Sequence, residues 1–266
     1  MSPHPNLGVR RSVCWSVQDR TVHPAGVGVQ LITSGTMLMP KLRLYTSPAA
    51  FPNPQRVRLL MHEKGIAGEI EEVILDMAPG GEQRGWQHLT RNPWGETPTL
   101  ELPDGGYLAE STAIGRYLDA SFPGRKIMGE TALEQAQDTM WDSRVWVQIP
   151  YRITTMFHVL HSGLGPKLEL THNAAWGEHC RKEALAHAGL VDRHLSDGRD
   201  WLLGGSDPTF ADMTLCTAIA FSKFGPNHTP LDERFEQLDR FWRTCKARPS
   251  FKAAYADGAG LAELGG

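Results

Sequence analysis

The run Asn92-Pro93-Trp94-Gly95-Glu96-Thr97-Pro98-Thr99-Leu100-Glu101-Leu102, followed by Glu110-Ser111-Thr112-Ala113-Ile114, constrains this chain more than any other. It sets a proline at the start of an apolar strand, where a residue without a backbone N–H is tolerated. X-Pro bonds are the ones commonly found cis, and a cis bond here would turn the chain sharply. That turn would leave the N–H and C=O of Thr97 free to pair with an extended, peptide-like ligand. Glu110 would hold the ammonium of such a ligand. Ser111 and the first N–H groups of the helix it opens would hold a carboxylate. Together these residues suit an amino-acid-like ligand that carries both charges and a peptide bond.

Composition narrows the setting. Hydrophobic residues make up 41% of the 266, and no run approaches the roughly 20 apolar residues that cross a bilayer. A net charge of -3 gives no electrostatic footprint for nucleic acid. Cys14, Cys180, Cys216 and Cys245 are scattered, with neither C-x-x-C nor zinc spacing, so the reading is a reduced, cytoplasmic protein without a metal site. Residues 1–39 are rich in proline and glycine and lack periodicity, which predicts a disordered extension. Met37 and Met39 are candidate translation starts just before the first strand.

Residues 41–45 alternate as a strand, and a proline-rich loop, 47–54, leads into a helix that stops at Gly65. Asn53 is the expected N-cap, with Pro54 at the first helical position. A second strand follows at 69–75, predicting a parallel β-α-β unit. Strands at 99–102 and 107–108 flank Asp104-Gly105-Gly106, a hairpin signal, and a helix runs from Ser111 to about Ala120. The second half has almost no strand signal. Helical spacing covers 133–161, 174–195 and 231–246, and a further helix begins at 208–212 with Thr209 and Asp212 as a capping pair. The expected domains are 40–122 and 130–257.

This order, with Asn92-Pro93-x-Gly95, Thr97-Pro98-x-Leu100, Glu110-Ser111-x-Ala113-Ile114, Tyr117-Leu118 and Phe210-Ala211-Asp212, resembles the glutathione S-transferase superfamily over roughly residues 41–257. The resemblance implies an α/β thioredoxin-like N-terminal domain, an all-α C-terminal domain and a homodimer. It also implies glutathione as co-substrate, attack of its thiolate on a hydrophobic electrophile as in detoxification, or reduction of glutathione mixed disulfides. By motif, Thr97 pairs its backbone with the cysteinyl unit, Pro98 is the cis proline, and Glu110 and Ser111 hold the γ-glutamyl end. Non-catalytic glutathione binding, or protein interaction on the same fold, is the alternative.

The residue that lowers the thiol pKa is less plainly marked. Thiols ionise near pH 8.5, so a donor or a helix N-terminus is needed. The loop has no cysteine, and Tyr45 lies inside the strand as a packing residue. Asn53, whose amide can donate to a thiolate, is the first candidate, with N-cap as its alternative role. Ser47 is the second, with a plain turn role as its alternative. Trp86, Arg84 and His88 are candidates for the glycyl carboxylate, or else a solvated helix face. Trp141, Arg144 and Tyr151 are candidates for the second-substrate pocket among residues that helical spacing otherwise assigns to core. His172, His179, His187 and His194 recur at seven or eight residues, too far apart for a zinc site on one helix, and read as a solvated face.

Overall fold

A computed structural model describes residues 42–47, 51–77, 80–160, 173–223 and 229–256, all within one unit of the chain, 39–266. The expected extension at 1–39, the loop residues 48–50, His161 and His172 lie outside the described residues.

The first half is built on a mixed sheet of order β2-β1-β3-β4, with β1 at Leu42–Thr46, β2 at Ile70–Ile74, β3 at Thr99–Glu101 and β4 at Tyr107–Ala109. β1 runs parallel to β2, with Leu42 opposite Ile70, and antiparallel to β3, with Leu44 opposite Leu100. Helix α1 (Pro52–Glu63) is the crossover between the two parallel strands, and α3 (Ser111–Ser121) follows the β3-β4 hairpin. A short α2 (Trp86–Arg91) precedes the Asn92–Pro98 segment. Leu44, Leu60, Leu100, Ile114 and Leu118 are fully buried between sheet and helices. This is the expected thioredoxin-like half.

The expected N-cap of α1 is corrected. Phe51, in extended conformation, is the capping residue, and Pro52 rather than Pro54 takes the first helical position. Proline's fixed φ suits that place, and Pro52 reaches it before Asn53 can cap.

The second half is helical: α4 (Ala132–Gln148), α5 (Pro150–Leu160), α6 (Ala174–His194), α7 (Phe210–Ser222), α8 (Glu236–Ala247) and α9 (Pro249–Ala254). The single helix expected at 133–161 is two. Pro150 has no N–H to donate and its ring clashes with the carbonyl four residues back, so α4 ends at Gln148, with Ile149 as its cap, and α5 starts afresh. The last long helix begins at Glu236, not Leu231. Asp212 accepts from the backbone N–H of Thr209 at 2.8 Å, the expected link at the start of α7, and also from the N–H of Leu202 at 2.7 Å. α7 is buried along its whole length and packs on α1, α4 and α5, so one core runs through both halves. Gly115 permits the close crossing of α3 and α7, since a Cβ there would lie 2.9 Å from the Phe210 ring.

Candidate functional site

The segment between α2 and β3 is held by its own polar groups. The N–H of Gly95 donates to the Asn92 carbonyl at 2.8 Å, closing a turn that Gly95 completes at φ 62°, a left-handed value that favours glycine. The Glu96 carbonyl then accepts from His88 Nε2 at 3.0 Å, Asn92 Nδ2 at 3.1 Å and Thr99 Oγ1 at 3.2 Å. With Glu96 fixed, the chain enters a cis Thr97-Pro98 bond and passes into β3. No described residue pairs with the backbone N–H or C=O of Thr97.

Across from this turn, Glu110 precedes α3 at φ 69° and ψ 119°, and it is the one residue other than glycine with positive φ among those described. Non-glycine side chains seldom adopt such backbone, and it tends to persist at ligand sites. No described residue hydrogen-bonds the Glu110 carboxylate, which is exposed. Ser111 is buried and donates from Oγ to the Asn53 carbonyl at 2.9 Å, tying the start of α3 to the start of α1. Asn53, Asn92, Glu96, Thr97, Pro98, Glu110 and Ser111 line one open cleft of about 210 Å³.

Two carboxylates thus share the cleft. Glu96 is exposed, but partial loss of solvent around its carboxyl, and then the charge of Glu110, raise its pKa above the ordinary glutamate value, with the Arg84 guanidinium acting in the opposite direction. The cleft offers a free peptide backbone edge, two acids, and the N-terminal turn of an 11-residue helix for an anion. That arrangement can hold an extended peptide with a zwitterionic end.

A buried cluster supports the site from below. Arg56 of α1 donates from Nη2 to Asp142 Oδ1 at 2.6 Å and to Thr112 Oγ1 at 2.8 Å, and from Nε to Thr214 Oγ1 at 2.8 Å. Its guanidinium lies between the rings of Trp146 and Phe210, 4.9 and 4.8 Å from their centroids. Thr112 follows Ser111, so this cluster anchors the first turn of α3 to α1, α4 and α7.

Other expected site residues lie elsewhere. Ser47 is buried outside the cleft lining, its carbonyl accepting from Arg58 Nη2 at 2.8 Å. His88 is buried and turned inward on the Glu96 carbonyl, so it shapes the turn. Trp86 is exposed, and Arg84 donates to the Trp94 carbonyl at 3.2 Å. Trp141 packs on His194 at 4.2 Å, Arg144 lies over the Trp141 ring, and Tyr151 is exposed; none of the three lines the cleft. Phe51, the capping residue of α1, packs edge-on against Phe221 at 6.1 Å, and Phe157 lies 5.7 Å from Phe221. Tyr45 donates to Glu101 Oε2 at 2.7 Å, and burial followed by that bond raises its pKa. His179 stacks on Trp176, while His187 and His194 bond backbone carbonyls. No group of three or more His, Cys, Asp or Glu among the described residues could hold a metal ion.

A family model for the glutathione S-transferase N-terminal domain matches residues 52–121. Glutathione S-transferase 2 of Saccharomyces cerevisiae is 31% identical over 227 residues, covering 85% of this chain and 95% of that protein. The chain belongs to the glutathione S-transferase family. Two solved structures agree with this family's fold. Gtt2 from Saccharomyces cerevisiae superposes with a TM-score of 0.72 at 32% identity, over 80% of this chain and 99% of that one. A glutathione S-transferase domain-containing protein from Marinobacter aquaeolei gives 0.71 at 31%, over 79% and 99%.

For a glutathione S-transferase, the residues that sequence reasoning missed are instructive. Glu96 and Asn92 lie inside the 92–98 segment, where nothing in the local sequence assigns either a role. Arg56 and Asp142 carry no local signal, because an arginine in an amphipathic helix reads as surface until its partner, 86 residues on, is known.

Proposed function

We propose that this chain is a glutathione transferase, holding glutathione in the Thr97–Glu110 cleft. The Thr97 backbone pairs with the cysteinyl unit, Glu110 takes the γ-glutamyl ammonium, and Ser111 with the first turn of α3 takes its α-carboxylate. The thiolate, stabilised by the Asn53 amide and the α1 N-terminus, attacks a hydrophobic electrophile, or the sulfur of a glutathione mixed disulfide with release of the partner thiol. The observation that carries this reading is the meeting of an unpaired Thr97 backbone, Glu110, Ser111 and Asn53 in one cleft. Asn53 is favoured over Ser47 because it lines that cleft. The same reading makes the protein a cytoplasmic homodimer, in keeping with free thiols at Cys180, Cys216 and Cys245. The test is the absorbance of bound glutathione thiolate titrated with pH. Asn53→Ala should raise the midpoint by about one unit, and more than Ser47→Ala does. No rise in either variant removes both as the activating group. Glutathione binding without turnover of an activated aryl halide or a mixed disulfide would leave a binding module in place of an enzyme.

A further inference from the structure

Glutathione brings one ammonium and two carboxylates to this cleft, whereas the cleft and its rim bring two acids and one guanidinium, Glu96, Glu110 and Arg84. If Glu110 meets the ammonium and the start of α3 meets the γ-glutamyl carboxylate, the glycyl carboxylate is left with Arg84, and Glu96 already shares the field of that guanidinium. The Glu96 backbone is fixed where it borders the cleft. Its carbonyl is held by His88, Asn92 and Thr99, and the Gly95 turn fixes the residue before it. No described residue hydrogen-bonds its carboxylate, and Glu96 lines the cleft that a ligand would enter. Glu96 is exposed at the cleft edge, and partial loss of solvent with the charge of Glu110 raises its pKa.

We propose that Glu96 selects at the glycyl end of the ligand, so that the cleft takes a γ-glutamyl-cysteinyl-glycine peptide capped there as a neutral or cationic amide in preference to the free acid. This rests on the glutathione reading above. Capping removes the one ligand carboxylate that this assignment leaves beside Glu96, in competition with it for Arg84. A cationic cap, such as a polyamine amide, would gain Glu96 as a counter-charge.

Titration calorimetry of the full chain at low salt, with glutathione and with its C-terminal amide, tests this. The amide should bind the wild type about fivefold tighter than the free acid, a difference of about 1 kcal/mol. Glu96→Gln should close that gap by tightening the free acid, and binding of the amide shows that the variant is folded. The free acid binding the wild type as tightly as the amide would overturn the inference alone. A gap that persists in Glu96→Gln would also overturn it. Binding of neither peptide would overturn the glutathione reading and this inference together.

Discussion

Glu110 sits in backbone that costs a side chain of any kind, and it carries a carboxylate that no described residue uses. The two facts separate by substitution. Glu110→Ala and Glu110→Gly both remove the carboxylate, and each should weaken glutathione at least about tenfold, the usual loss for a hydrogen bond to a charged group. The glycine variant should be more stable than the alanine variant by about 1 kcal/mol in urea unfolding, because only glycine is at ease at φ 69°. Equal stability would mean that the backbone relaxes there. At this scale the sequence was informative wherever the chemistry is local. Thr97-Pro98 and Glu110-Ser111 announce themselves within a few residues, and the structure brings all four to one cleft. Asn53 shows the limit of local rules. It has a capping side chain, yet Pro52 starts the helix first, so Asn53 lines the cleft and the cap falls to Phe51.

Among elements, the decisive contact is the one between α1, α3, α4 and α7 through Arg56. Its buried guanidinium loses hydration, which pushes its pKa down, while Asp142 opposes that shift. Removing one partner of such a pair leaves the other charged and buried. Arg56→Met should therefore cost about 3–5 kcal/mol in denaturant unfolding, and Arg56→Met with Asp142→Leu should recover much of that loss. A small effect in the single variant would mean that water replaces the guanidinium. The boundary between α4 and α5 was readable in principle, since Pro150 cannot donate within a continuing helix. The periodicity runs on through it, because both helices turn apolar faces to the same core and Val145, Ile149 and Ile153 stay in step. Spacing reports which face is buried, and only the missing N–H reports where the helix breaks.

For the whole molecule, two buried acids near the start of α7 couple folding to pH. Asp138 accepts from the Ala211 N–H at 3.0 Å, and burial pushes its pKa up to about 6; Asp212 is likewise pushed up to about 6 by burial. A carboxyl whose folded pKa lies above its unfolded value holds a proton longer in the folded state. Its contribution to stability is fully present below about pH 4 and is lost as pH rises through about 6. Asp138→Asn keeps an acceptor without the charge. Relative to the wild type, this variant should gain stability by about 2 kcal/mol between pH 4 and pH 7, most of the value of a shift of roughly two units. Unfolding curves at the two pH values check this, and a pH-independent difference would place the proton elsewhere. By itself the sequence determined the order of strands and helices, the sheet-forming half, the helical half and the Thr97-Pro98 and Glu110-Ser111 motifs, because these depend on periodicity, proline and short-range spacing. Only the tertiary structure decided that Asn53 and Glu96 share the cleft while Ser47, His88 and Trp141 stay out of it, and that Arg56 anchors the floor. Those placements depend on which groups distant in the chain satisfy one another's charge and hydrogen bonds once solvent is excluded.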